Sequence, residues 1–207
     1  MLTRRSLIVS TIAATTLFAA TGFAPAAHAQ ATSEAKAFIE QTASQLIAVV
    51  NGNAPNAQKQ QQLTQIIDRA VDVPEIARFC LGRFWRAATP EQQKQYIDLF
   101  HRVLVINITG KIGEYQGVSI NLGQAVDREG AVAVESVVNR PGNAPAKVDW
   151  IVNNETGSPK IIDVVAEGTS LRLTQRSDYA SYLARNGNNV QALIDAMKRQ
   201  AQVASTG

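Results

Sequence analysis

The feature that most constrains this chain is the stretch Tyr-Ile-Asp-Leu-Phe-His-Arg-Val-Leu-Val-Ile-Asn-Ile-Thr-Gly-Lys-Ile, residues 96 to 112. Wound as a helix at 100° per residue, its apolar side chains cover an arc of about 260°. Asp98, Arg102 and Thr109 fill the remaining wedge, while His101, Asn107 and Lys111 interrupt the arc. An ordinary surface helix needs one apolar stripe, so this one is buried on several sides or lines something. Val103 to Thr109 is β-branched enough to suit a strand. The upstream Thr89-Pro90-Glu91-Gln92, where Thr89 caps, Pro90 takes the first turn and Gln92 closes a capping box, and Gly110 as an odd strand interior both favour the helix over the strand.

The stretches around it organise the rest. Arg4 and Arg5, an apolar run from Leu7 to Ala20, and Ala27-His28-Ala29 predict an export leader over residues 1–29 and a mature chain starting at Gln30. Thr3-Arg4-Arg5-Ser6 fits both the general secretory and the twin-arginine route. Residues 30–207 are then one domain of about 178 residues, enough for a core without staples. Losing both arginines brings the formal charge from +3 to about +1. So even a balance argues against nucleic acid, which wants a basic stripe. The single cysteine, Cys80, leaves stability to packing, since it has no internal partner for a disulfide.

A helix is predicted from Ser33 as cap to about Val50, then a second from Ala57 with Leu63, Ile66, Ile67 and Ala70 as its buried stripe. Asp72-Val73-Pro74-Glu75 starts a third. From Gly117 the period changes to two, in blocks at Val118–Leu122, Val132–Val138 and Val148–Val152, and Lys160–Val165 reads as a strand covered on both faces. The turns at Asp127–Gly130, Arg140–Asn143 and Asn153–Ser158 make this a four-strand antiparallel meander. Two helices, Ser177–Ala184 and Asn189–Gln202, close the chain around Gly187. Helices followed by strands give an α+β fold: a curved antiparallel sheet of about four strands against an N-terminal helical bundle and C-terminal helices.

Periodicity is satisfied equally by a solid central helix and by one that walls an apolar cavity. On the second reading the lining is Tyr96, Leu99, Phe100, Val103, Leu104, Ile108 and Ile112, facing the sheet. The strands contribute Val118, Ile120, Val134, Val138 and Val148, with Trp150, Val152, Ile162 and Val164. Phe79, Phe84 and Trp85 add aromatic bulk, and Arg83 and Arg86 form a positive collar suited to an anionic headgroup.

No catalytic or metal-ligating constellation presents itself. Cys80 and His101 are a nucleophile pair on paper, as in a hydrolase. Phe79, Leu81, Phe84 and Trp85 around the cysteine instead describe a buried thiol. Asp163 and Glu167 sit in and just after a strand, where four-residue spacing gives no shared face.

Three pieces resemble one family in order and spacing. They are Leu81-Gly82-Arg83-Phe84-Trp85-Arg86, Thr89-Pro90-Glu91-Gln92, and Asp163-Val164 with Glu167-Gly168-Thr169-Ser170-Leu171. The family is MlaC, the toluene-tolerance auxiliary proteins, and the resemblance runs from about Ala35 to Gln200. It implies a monomeric, non-enzymatic periplasmic carrier without cofactor. Such a carrier holds phospholipid acyl chains in an apolar cavity between sheet and helices. It shuttles lipid between an outer-membrane lipoprotein complex and an inner-membrane ABC transporter bearing an MCE domain. Two positions depart from the family pattern: Pro159 precedes Lys160, and Gln175-Arg176-Ser177 with Tyr179 replaces a Tyr-Arg-Ser and Phe arrangement. Both alter the expected pocket shape and keep a hopanoid- or isoprenoid-associated carrier of the same family as the alternative.

Overall fold

The computed structural model describes residues 24–128, 130–154 and 157–203. The basic and apolar parts of the expected leader lie outside the described residues. Six α-helices surround a five-strand sheet: α1 (Ala24–Asn51), α2 (Asn56–Ala70), α3 (Val73–Leu81), α4 (Pro90–Thr109), β1 (Ser119–Arg128), β2 (Ala131–Asn139), β3 (Ala146–Asn153), β4 (Lys160–Ala166), β5 (Thr169–Ser170), α5 (Leu171–Arg185) and α6 (Val190–Val203). Short 3₁₀ turns at Gly82–Arg86 and Ile112–Tyr115 flank α4. None of the described helices is long and apolar enough to cross a membrane.

Helix starts follow the predicted chemistry where capping groups exist. The Asp72 side chain accepts from the Glu75 amide, and Thr89 and Gln92 form the reciprocal capping box. Two starts differ. Helix α1 begins at Ala24 rather than at Ser33, because the alanine-rich segment before Ser33 has the strongest intrinsic helix preference. The expected processing point at Ala29–Gln30 thus falls inside α1. Its buried side chains, Ala35, Ile39, Thr42, Ala43 and Val50, all follow that point. Helix α5 begins at Leu171 rather than at Ser177: Ser170 accepts from the Leu173 amide at 3.1 Å and supplies the cap.

The strands pair in chain order, β1-β2-β3-β4-β5, all antiparallel. The fifth, two-residue strand was not foreseen. It is reached through Glu167 at φ 49° and Gly168 at φ 78°, the pair of positive φ angles that a tight hairpin turn requires. Two irregularities set which way side chains point. One lies between Leu122 and Ala125 on β1. The other makes Ile162 an extra residue on β4, so that Ile161 stands opposite Val152 while Asp163 turns to the other face.

Helix α1 lies across β1, β2 and β3, and its Ala35 and Ile39 join Val132, Val134, Val152 and Ile161 in one core. Helix α4 packs against α6, α3 and α2 in a second, wholly helical core. The expectation that α4 faces the valines and tryptophan of the sheet is therefore corrected for Tyr96, Leu99, Phe100 and Val103, which are buried in the helical core. The longer α1 occupies that place, and small Ala35 lets it approach closely. Asn51 at its end fixes the entry to β1: its side chain accepts from the Gly117 amide at 2.8 Å and donates to the Val118 carbonyl at 3.1 Å.

Asp163 joins sheet to helices. Its buried carboxylate accepts from the Val164 amide at 2.8 Å, the Arg172 amide at 3.1 Å and the Ser170 hydroxyl, with the Arg172 guanidinium at 3.5 Å. Replacing it by alanine orphans the start of α5 and leaves Arg172 short of a counter-charge. Asp163→Ala should cost about 3 kcal/mol, read as a lower urea midpoint at unchanged slope. Thr89→Ala, which removes only a cap, should cost about 1 kcal/mol. Equal costs for the two would contradict this ranking.

Candidate functional site

The strand residues singled out by period-two alternation come together on one face with Val164 from the continuous apolar run of β4. Ile120 pairs with Val138, Val134 with Trp150, Trp150 with Val164, and Val148 with Ser136. Adjacent strands stand about 4.8 Å apart, so four of them make an apolar strip about 14 Å across. One end is sealed: Val134 and Val152 are buried beneath α1. The other end is open, since Ile120, Val138, Val148, Trp150 and Val164 are only half-buried. Leu122 and Phe38, half-buried beside them, were missed, as was Ile161. The bulge decides that last exchange: Ile161 takes the place opposite Val152, and Ile162 is the buried extra residue.

Trp150 is held within this face. Its indole N–H donates to the Ser136 hydroxyl at 2.9 Å, and that hydroxyl donates to the Val148 carbonyl at 2.9 Å. The chain satisfies a buried serine inside an apolar strip and fixes the ring, which can then offer carbon surface.

The helix residues divide. Tyr96, Leu99, Phe100 and Val103 are buried in the helical core with Phe84. Tyr96, Phe100 and Tyr179 form a ring trio with centroids 6.0 to 6.4 Å apart, and Tyr96 donates to the Ala77 carbonyl at 2.9 Å. This half of the apolar arc is solid core. Farther along α4, Leu104 is half-buried with Val105 and Ile106, and Ile108 is 40% exposed. Ile112 belongs to a third cluster with Leu63 and Ile66 of α2, and Val118 is buried just before β1. Phe79 and Trp85 lie half-buried against the helical core.

Two hollows stand out among the described residues. A groove of about 480 Å³ lies between α5 and α6, lined by Tyr179, Tyr182, Leu193 and Met197 with Asp178 and Arg185. A smaller one of about 150 Å³ lies between α1 and the hairpin ends, lined by Ala31, Ala35, Val132, Val152 and Pro159 among others. That volume suits a guest the size of benzene, not an acyl chain. The large enclosed cavity expected from the sequence is not one of these two; the apolar surface on offer is the half-open sheet face.

Cys80 and His101 are each engaged elsewhere. The thiol is buried, sits 3.5 Å from the Arg172 carbonyl, and is pushed up to about 12, chiefly by desolvation and further by the charge of Asp163. A thiol in that range supplies no thiolate nucleophile near neutral pH. The His101 Nε2 contacts the Asp68 carboxylate at 2.6 Å, bridging α4 and α2. Glu167 accepts from the Lys147 amide in the turn before β5, and Asp163 is engaged with Val164, Ser170 and Arg172. Among the described residues no group of three or more His, Cys, Asp and Glu could hold a metal ion.

Arg83 and Arg86 are exposed on the 3₁₀ turn, and Arg83 lies 4.9 Å from the centre of the Phe84 ring. They stand beside the helical core, with Arg172 and Arg176, 4.4 and 4.9 Å from the Phe79 ring centre, as neighbours the sequence reading missed. The signal was Gly82: at φ +58° it needs glycine, and a Cβ there would come within 3.2 Å of the Arg176 guanidinium.

Three comparisons bear on this geometry. The toluene tolerance protein Ttg2D of Pseudomonas putida is 28% identical over 136 residues, 64% of this chain and 63% of the relative's length. A phospholipid-binding protein from Ralstonia solanacearum, solved in complex with a phospholipid, superposes with a TM-score of 0.72 at 23% identity, covering 83% of this chain and 99% of that one. The likeness shows that the fold is shared. The sequence profile of the MlaC protein family matches residues 40–199, and the chain therefore belongs to the MlaC family.

Proposed function

We propose that this chain is a periplasmic phospholipid carrier that lays acyl chains on the half-open face of its sheet. The observation that carries the reading is the apolar strip of Ile120, Leu122, Val138, Val148, Trp150 and Val164, aligned in register and left half-covered by α1. Its support is the shared fold with a protein solved bound to a phospholipid. Half-exposed Leu104 and exposed Ile108 on α4 are the proposed opposite wall. The chain then works by binding rather than by catalysis, and the lipid is cargo.

Burying hydrocarbon yields about 0.8 kcal/mol per CH₂, so two long chains offer on the order of 20 kcal/mol relative to water. Bilayer lipid is already dehydrated, and a carrier has only to match the bilayer. Direction must then come from docking partners: an outer-membrane lipoprotein complex on one side, and on the other an inner-membrane ABC transporter with an MCE domain that spends ATP.

Native mass spectrometry of the purified protein should show a bound glycerophospholipid, confirmed by extraction. A preparation that never loads lipid, or one that carries only a hopanoid, would overturn the reading. Val148→Glu and Leu104→Glu place a charge at half-buried positions. They should lower lipid occupancy more than about tenfold while the protein still folds, because a buried unpaired carboxylate costs several kcal/mol. Leu99→Glu, in the solid helical core, should instead prevent folding. Unchanged occupancy in both half-buried variants would exclude this face.

A further inference from the structure

The corner where α3, the Gly82–Arg86 turn and the start of α5 meet has a composition the cargo site does not use. Arg78 lies 5.8 Å from the Trp85 ring centre, and Arg83 covers Phe84. Arg172 and Arg176 cover Phe79, with Arg176 against Gly82. Arg86 completes the turn. A chain whose processed form is nearly neutral thus gathers five arginines in one place. Arg172 is matched by Asp163 at 3.5 Å and Glu75 at 3.9 Å. Arg78, Arg83 and Arg86 are exposed to solvent.

Leucines project beside them. Leu171 and Leu173 are 52% and 56% exposed, the two most exposed large apolar side chains among the described residues. They fall in the first turn of α5 on either side of Arg172, and helical side chains tilt toward the N-terminal end. Neither leucine lines the α5–α6 groove or the hollow beside α1.

We propose that this corner docks the protein on an anionic bilayer surface, its exposed guanidiniums meeting lipid phosphates while Leu171 and Leu173 enter the acyl boundary. Charge selects an anionic partner. The protruding leucines select a bilayer over a protein, because a protein anchor seats side chains in a shaped pocket, whereas the bilayer interface accepts any protruding hydrophobe flanked by arginine. The corner meets β4 through Asp163, on the face opposite Val164 and the strip proposed for cargo, so docking and cargo binding are separable.

The test is vesicle flotation of the processed, cargo-loaded protein. Vesicles of phosphatidylglycerol with phosphatidylcholine should float it, vesicles of phosphatidylcholine alone should not, and high salt should release it. Arg83→Gln with Arg86→Gln should weaken binding more than about tenfold. Leu171→Ser with Leu173→Ser should weaken it by about tenfold. The leucine pair is exposed and should melt with the parent, so it carries the test if the arginine variant folds poorly. Native mass spectrometry on the same samples reads cargo: full cargo without flotation sinks the docking surface and leaves the carrier intact. Equal flotation by parent and both variants, or salt-sensitive binding confined to an acidic protein with none to vesicles, would overturn the proposal.

Discussion

A four-strand sheet presents more apolar width than one helix can cover. The strip is about 14 Å across, whereas a helix with its side chains is about 10 Å wide. Helix α1 lies over β1 to β3 and closes the end bearing Val134 and Val152, where Ala35 and Ile39 descend onto the sheet. The remainder, from Ile120 through Trp150 to Val164, keeps part of its carbon surface in water. The other helices do not fill the gap because they are occupied with each other: α4 gives Tyr96, Leu99, Phe100 and Val103 to a core shared with α3, α5 and α6.

That division holds only if the sheet and the helical bundle keep a fixed relation, and Asp163 is placed to maintain it. Alternation with Val164 turns its carboxylate away from the apolar strip and toward the start of α5, where Ser170 and Arg172 satisfy it. The bulge at Ile162 then brings Ile161 back onto the apolar face.

Much of this was legible in the sequence wherever a short-range signal existed. The capping box at Thr89 and the acid at Asp72 gave the right helix starts, and the alternation of the first three strands gave the right face, because each acts within a few residues. Ile120, Val138, Val148 and Trp150 fall on one face because a period of two fixes the face once the register is set, and pairing with Trp150 brings Val164 to the same face. The failures have the opposite character. Ile162 was chosen over Ile161 because a bulge breaks the period without a composition signal. Tyr96, Leu99, Phe100 and Val103 of α4 were assigned to the sheet side because a broad apolar arc says that it is covered and not by what. The arginines at 172 and 176 were overlooked because stacking on Phe79 joins positions nearly a hundred residues apart. Gly82 held the one local hint, since only a positive φ and a close neighbour explain it.

The most direct test of the account is a crystal structure of the protein purified with its native cargo. It should show acyl chain carbons packed against Val148, Trp150 and Val164, with the Trp150–Ser136 hydrogen bond intact beneath them. Chains lying instead in the α5–α6 groove against Tyr179 and Met197, with the sheet face bare, would contradict it.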